Sequence, residues 1–530
     1  MPRVLILLLF LFGACGPARA DLHDAVAGLG SRGFDDKAEA IEQIAHSGDP
    51  QAAVILNALK NRELVEDRAS QRIVLGKKGG DGWILSDPIS GEALGTVGRR
   101  DARPVVINNR LRELIHNLHA VAALASDNPL ERRAAASQLI GNDDPMVLGA
   151  LRERQREENN PLVSGVIDTA LNIAVLRTPA SKLAARLSAI EAVSGSLEPA
   201  VRNVLRDRLQ KAAARSERHA AQKALASIDA RGQRYKMADT LFFGLSLGSV
   251  LLLAAIGLAI TFGVMGVINM AHGELIMLGA YTTYVVQRIF PQGHEWSLLV
   301  AVPAAFLVSG FAGVLIERLV IRFLHGRPLE TLLATFGVSL ILQQAVRLIF
   351  SPLNRTVVTP EWMSGALQIN PVFSLTFNRL YIIVFTLAMF LILQLVLKKT
   401  RLGLQVRAVS QNRNTARGLG IRSGRVNALT FGLGSGIAGV AGVALAQLTN
   451  VGPSLGQSYI IDSFMVVVFG GVGNLWGTLT AAFGLGIANK LIEPMAGAVL
   501  AKIAILVFII LFIQRKPRGL FPQRGRTAEE

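Results

Sequence analysis

Three polar side chains stand in a stretch that otherwise reads as hydrocarbon: Asn269, His272 and Glu274, within Ile268-Asn269-Met270-Ala271-His272-Gly273-Glu274. A carboxylate inside an apolar segment of lipid-spanning length is costly, and such groups usually face a cavity or a partner. Together the three supply an amide, an imidazole and a carboxylate, the donors and acceptors that a small polar solute needs in place of water. They mark this stretch as a candidate solute pathway. The same groups could instead satisfy one another or cap a broken helix. Arg347 and Asp462 lie near the ends of apolar segments and read as interfacial, while Glu317-Arg318 reads as a local charge pair.

Other chemistries find less support. His116 and His119 are spaced as zinc ligands can be, but no second pair follows, so a surface or core role is expected and no metal site. Cys15, the only cysteine, falls within an export leader: Arg3, the apolar run Val4–Phe12, and Ala18-Arg19-Ala20 as a small-x-small cleavage site. Cleavage after Ala20 leaves a chain without disulfides or thiolate chemistry. The alternative is a lipid-modified Cys15, although Phe12 stands where such signals usually carry Leu. Gly434-x-Gly436-x-x-Gly439 matches a dinucleotide fingerprint, yet it has no preceding strand and no acidic partner, so close helix packing is the better reading. No Walker A sequence is present, so any ATP must be hydrolysed by another chain, and no enzyme activity or cofactor is expected here. The net charge is +17, but the basic residues gather in loops between apolar segments, with no aromatic-interleaved patch. No nucleic-acid partner is expected.

The elements that must position these residues are read from hydropathy. The chain has 530 residues, 51% of them hydrophobic. Nine apolar segments fall near 241–264, 270–287, 298–321, 331–350, 379–397, 426–447, 460–474, 476–492 and 496–513, judged against the roughly 20 residues that a spanning helix needs. The seventh and eighth are short and Gly-rich, and read either as two crossings or as a re-entrant pair. Basic residues cluster after the third segment (Arg322, His325, Arg327), through 398–425, and after the last (Arg515, Lys516, Arg518). The rule that basic loops stay cytoplasmic places all three inside and the loop 351–378 outside. The leader places 21–235 outside as well.

Within 21–235, Asn128-Pro129, Asp144-Pro145 and Asn160-Pro161 recur every sixteen residues, each ahead of a helix-forming run. Asn or Asp caps a helix and Pro fits its first turn. Gly48-Asp49-Pro50 and Glu198-Pro199 repeat the theme less regularly. The pattern suits a short HEAT-like stack or an unrelated helical bundle. Trp83–Val97 has turn chemistry between short apolar runs and predicts a small β-hairpin. A solenoid face suits docking better than catalysis. The expected fold class is therefore all-α, with a polytopic helical membrane domain of about eight or nine segments behind an exported helical-repeat-like domain that carries a β-hairpin.

The loop 398–425 contains Arg413-Asn414-Thr415-Ala416-Arg417-Gly418-Leu419-Gly420-Ile421, which predicts a short helix stopped by glycine. The choice is between a plain solvated loop and a surface that receives force from a soluble motor. The small residues at 432–442 should pack against a neighbouring helix, of this chain or of a second copy.

Several runs resemble the permease subunits of branched-chain amino acid ABC importers. They are Gly257-Leu258-Ala259, Gly266–Glu274, Gly279-Ala280-Tyr281, Arg407-Ala408, Gly420-Ile421, Ala438-Gly439, Ala441-Gly442, Phe469–Asn474 and Pro517–Phe521, covering nearly all of 240–522. The N-terminal extension resembles that of the urea-importer branch. The resemblance implies a second permease subunit, two cytoplasmic ATPase subunits that bind the ATP, a periplasmic solute-binding protein, and residence in a bacterial inner membrane. Leader, hydropathy and loop charge together give the expected divisions: a leader over 1–20, a periplasmic domain over 21–235, a transmembrane permease domain over 236–522 and a cytoplasmic tail over 523–530. The resemblance assigns Arg413, Ala416, Gly418 and Gly420 to coupling with the ATPase, although the Glu of the general Glu-Ala-Ala coupling motif is missing. Gly432, Gly436, Gly439, Gly442, Gly470, Gly471 and Gly473 are expected to serve close helix packing. Urea is the expected solute, with branched-chain amino acids or a related small amide as the alternative. A secondary transporter or channel, or a membrane-anchored receptor, are the rivals of another class.

Overall fold

The structure is a computed structural model that describes residues 18–521 except 48, 80, 81, 292 and 325. The cleavage segment ahead of Ala18, Cys15, His325 and the tail 523–530 lie outside the described residues. Backbone contacts divide the chain into two units, between Ala230 and Arg231. The division falls inside one continuous helix, Arg215–Met265, five residues ahead of the expected bound at 235.

The first unit opens with α1 (Ala18–Gly28), α2 (Phe34–His46) and α3 (Gln51–Lys60). Five strands follow: β1 (Leu64–Asp67), β2 (Ile73–Gly79), β3 (Gly82–Ser86), β4 (Ala93–Gly98) and β5 (Ala102–Pro104). They form one antiparallel sheet in the order β4-β3-β2-β1-β5. The expected hairpin is β3–β4, with Trp83 opposite Val97, and it is two strands of a larger sheet. Helices α4 (Asn109–Ala123), α5 (Pro129–Gln138), α6 (Pro145–Glu157), α7 (Pro161–Arg177), α8 (Leu183–Val193) and α9 (Pro199–Lys211) complete the unit, with the start of α10 (Arg215–Met265).

The sixteen-residue rhythm is realised as capping. The side-chain oxygens of Asn128, Asp144 and Asn160 accept from the backbone N–H of Leu130, Met146 and Leu162 at 3.0, 2.9 and 3.0 Å. Each removes one of the orphan donors of a helix start. The cores follow one another along the chain. Leu22, Ile41, Ile55 and Ile115 belong to the first, Leu139, Leu151 and Ile167 to the second, and Ile173, Ile190 and Leu205 to the third. Helix α7 contributes to the second and third cores, which is the nearest-neighbour packing of a repeat array.

The second unit holds the rest of α10, then α11 (His272–Ile289), α12 (His294–Leu319), α13 (Pro328–Phe350), a hairpin of β6 (Ala366–Asn370) and β7 (Phe373–Thr376), α14 (Phe377–Lys399), α15 (Arg401–Gln411), α16 (Arg413–Gly418), α17 (Ser423–Ala446), α18 (Gln457–Gly470), α19 (Leu475–Ala496) and α20 (Ala498–Arg515). All nine apolar segments are helices. Six of them, α10, α12, α13, α14, α17 and α20, are long and apolar enough to cross a membrane. Helix α18 has 14 residues and turns within four residues into the 22-residue α19, so the pair is a tight helical hairpin. Helix α17 is buried along most of its length, whereas α13, α14 and α20 present mostly exposed apolar side chains. That arrangement suits a helix at the centre of the unit and a rim made for lipid or another subunit.

Candidate functional site

The polar cluster sits at a break in the helical path. Helix α10 ends at Met265, and Gly266 has φ +65°, which turns the chain sharply. Asn269 is fully buried, and its Oδ1 accepts from the Ala271 N–H at 3.0 Å. The Met270 N–H donates to Thr335 Oγ1 at 3.1 Å. Non-helical backbone at membrane depth needs such partners, because lipid offers none. Helix α11 then starts at His272, with Glu274 in its first turn.

The three polar side chains reach three different places. Asn269 serves its own backbone. The Nε2 of His272 lies 2.8 Å from the Ala254 carbonyl on α10, so that nitrogen carries the proton. The Oε1 of Glu274 accepts from Ser339 Oγ at 3.0 Å and from Gln343 Nε2 at 2.7 Å, both on α13. Its Oε2 is buried without a hydrogen-bond partner. A buried acceptor normally has one. The carboxylate is therefore half held by α13 and half free to take a donor.

The residues that sequence reading missed are on α13. Thr331, Thr335, Ser339 and Gln343 recur every four residues, and all four are buried. Thr335, Ser339 and Gln343 bond to Met270 and Glu274 at the start of α11, while Thr331 Oγ1 donates to the carbonyls of Leu324 and Arg327. Its signal was legible as an i, i+4 repeat of polar residues in an otherwise apolar segment. Further along the same two helices, Tyr281 stacks on Phe350 with ring centroids 4.8 Å apart. Arg347 is exposed. The Oδ2 of Asp462 accepts from Lys502 Nζ at 3.2 Å, inside a cavity. The Glu317–Arg318 pair is present at 3.7 Å.

The loop 398–425 is a helical elbow. Thr400 Oγ1 caps α15 by accepting from the Gly403 N–H at 3.3 Å, and Asn412 Oδ1 caps α16 by accepting from the Thr415 N–H at 3.0 Å. Helix α16 ends as a Schellman motif: Ile421 N–H donates to Ala416 O at 3.0 Å, and Gly420 has φ +84°. Ala416 is 2% exposed and packs with Val406, Val409 and Val426. It supports the elbow from within and does not present a surface. Leu419, which sequence reading did not single out, is 78% exposed at the tip. Gly418 is exposed. Arg417 Nε donates to Ser423 Oγ at 2.8 Å. Partial burial lowers the pKa of the Arg413 guanidinium from its ordinary value, and the neighbouring charge of Arg417 adds to the effect.

The glycine stripe of α17 packs within this chain. Gly432 and Gly436 lie against α12 at Gly310, Val314 and Phe306. Gly439 meets Ala305 and Ser309 on α12 and Gly279 on α11, and Gly442 meets Ile276 and Ala280 on α11. Two helices of the same chain, α11 and α12, hold the stripe. A Cβ at Gly439 would collide with backbone, so the close approach depends on glycine. Gly470, Gly471 and Gly473 form the α18–α19 turn, against Gly477, Phe521 and Gly263 respectively. The segment after α20 closes on this turn, with Leu520 N–H donating to Phe469 O at 2.9 Å and Phe521 N–H to Gly470 O at 3.2 Å. His116 is exposed and His119 partly buried, and no group of three or more metal-ligating side chains occurs among the described residues.

Comparison with known proteins bears on residues 240–514, which match the family model for the permease component of branched-chain amino acid transport systems. The high-affinity branched-chain amino acid transport system permease protein LivH of Salmonella typhimurium is 31% identical over 291 residues, covering 53% of this chain and 94% of LivH. The corresponding protein BraD of Pseudomonas aeruginosa is 30% identical over 295 residues, covering 54% of this chain and 96% of BraD. The ribose import permease protein RbsC of Escherichia coli is 27% identical over 281 residues, covering 48% of this chain and 77% of RbsC. No solved structure matches.

Proposed function

The chain belongs to the branched-chain amino acid transport permease family, and we propose that it is the membrane subunit of an ABC importer for branched-chain amino acids. The observation that carries this reading is the match over residues 240–514, with 31% and 30% identity to permeases of that name, LivH and BraD. It replaces urea as the leading solute. Urea stands as a second reading, favoured by the helical first unit, which lies ahead of the matched residues and resembles the extension of the urea branch.

Transport works by alternating access. Partner ATPases dock on the α15–α16 elbow at the cytoplasmic face, with Leu419 at the tip and the Ala416 cluster as its rigid base. Their closure tilts α17, which follows the elbow directly and is packed along α11 and α12. Helix α11 carries Glu274, whose hold on α13 is made or broken as the cavity switches sides. Asn269 and His272 keep the helix break in place around that carboxylate. A second permease, two ATPase subunits and a periplasmic binding protein complete the importer, and the first unit lies in the periplasm as a docking surface. The test is uptake of isotope-labelled leucine and of urea by a strain lacking this chain. Loss of leucine uptake, restored by the cloned gene, is expected; loss of urea uptake alone selects the second reading, and unchanged uptake of both removes the assignment.

A further inference from the structure

The first turns of α12 and α14 and the last turn of α17 leave a cavity of about 300 Å³ between them, which the mechanism above does not use. Its wall is apolar, with Val302 from α12, Phe385 from α14, and Val443 and Ala444 from α17. Water gains little there, because it needs several polar partners to stay. Two of the lining residues, Leu299 and Val384, are 59% and 60% exposed, so the cavity opens on the apolar rim of the unit. Trp362 and Tyr381 also line it, with ring centroids 5.2 Å apart, and the Trp362 indole N–H donates to Glu295 O at 3.1 Å. Half-exposed Trp and Tyr with a polar tip mark the level where a membrane meets water. One polar side chain breaks the apolar wall. Gln447, at the end of α17, is 6% exposed, and neither its Oε1 nor its Nε2 has a hydrogen-bond partner among the described residues. A buried amide in that condition is costly, and the cavity whose wall it forms is where partners can be supplied.

We infer that this cavity binds a long-chain fatty acid in its un-ionised form, taken from the surrounding bilayer. The amide of Gln447 presents a donor and an acceptor side by side. A neutral carboxyl group is its complement: the acid O–H donates to Oε1 while the acid C=O accepts from Nε2. The hydrocarbon chain then runs between α12 and α14, past Val302 and Phe385, and leaves by the rim at Leu299 and Val384. An ester carbonyl accepts but cannot donate, so a phospholipid tail would leave Oε1 unpaired. An alkane would leave both amide atoms unpaired. An ionised carboxylate has no donor and brings a charge that no lining residue balances. The occupant braces the end of α17 against α12 and α14. The site is independent of the transported solute, and it shares no residue with the cluster around Glu274.

The test uses the full chain in phosphatidylcholine nanodiscs at about pH 5, near the ordinary range of a carboxyl group. A fatty acid carrying a mid-chain diazirine is photolysed there, and its adducts are located by peptide mass. Adducts are expected on 298–302, 381–385 and 443–444. Excess dodecanoic acid is expected to suppress them, and so is dodecanamide, which offers the same donor and acceptor without ionising. Methyl dodecanoate and dodecane are expected to need about tenfold more or greater, since one or both amide atoms stay unpaired. Gln447→Leu is expected to abolish that preference, so that acid and ester suppress alike. Where this variant fails to fold, the ranking of competitors on the unaltered chain still decides. Adducts as dense on the exposed faces of α13 and α20 as in the cavity, or equal suppression by acid, ester and alkane on the unaltered chain, would overturn the site. Suppression by dodecanamide alone would remove the fatty acid as its occupant.

Discussion

Glu274 is the residue at which the proposed mechanism is most directly tested, because one of its oxygens is bound and the other is not. Glu274→Gln keeps an oxygen for Ser339 and Gln343, so the fold should survive while transport falls. Glu274→Ala strips both donors of their acceptor, at about 1–3 kcal/mol for each buried group left unsatisfied. Thermal stability and uptake measured on both variants separate the roles: equal uptake in Glu274→Gln and wild type would reduce this carboxylate to a structural tie. In the first unit, Glu158 has a plainer task. Arg132 reaches it with two hydrogen bonds of 2.8 and 2.9 Å, and Arg154 with two of 3.1 Å. The Arg132 bonds, with help from the Asn160 N–H and Arg154, hold its carboxyl down at about 2 against an ordinary 4.5. A carboxyl whose folded pKa is depressed contributes stability that is complete above about 4.5 and is lost as pH falls toward 2. Unfolding of the first unit within the full chain should therefore steepen between those pH values. Glu158→Gln should flatten that dependence and lower stability by about 3 kcal/mol at neutral pH. Parallel acid-unfolding curves for the two proteins would sink the argument.

At the scale of elements, the elbow separates support from contact. Ala416→Arg forces a charge among Val406, Val409 and Val426 and should lower the amount of folded protein. Leu419→Ser touches only solvent in the isolated chain and should leave expression intact while uncoupling ATP hydrolysis from uptake. ATPase assays on the assembled importer check this, and full coupling in Leu419→Ser would remove the tip from the interface. The same elements show what was legible beforehand. Asn128, Asp144 and Asn160 announced their helices because a cap and a proline are local signals. The Gly420 stop was legible for the same reason. The β1–β2–β5 part of the sheet was not, because Leu64–Asp67 and Ala102–Pro104 are too short to show alternation and owe their pairing to residues distant in sequence. Ser339 and Gln343 were passed over because hydropathy averages a segment and hides one polar face. The inward turn of Ala416 is a tertiary fact that spacing alone did not carry.

For the whole molecule the governing question is which end of the membrane unit meets the energy source. The basic residues of 398–425 argue for the cytoplasm, since Lys- and Arg-rich loops resist export. The elbow argues the same way: two capped helices with an exposed leucine at the tip make a rigid surface, as a lever driven by a soluble partner requires. Arg231, Arg234 and Lys236 pull the other way by standing at the start of the first apolar segment, yet a long exported domain translocates despite such charges. Two single-cysteine chains decide between these forces, both with Cys15 replaced by Ser. Leu419→Cys should react with an impermeant thiol reagent only in inside-out vesicles. Leu130→Cys, exposed at the start of α5, should react only in intact spheroplasts. The two positions stand on opposite sides of the membrane if an odd number of crossings separates them, so the pair tests topology and not merely access. Labelling of Leu419→Cys from outside intact spheroplasts would place the elbow beyond the reach of any cytoplasmic ATPase, and the importer mechanism would fail with it.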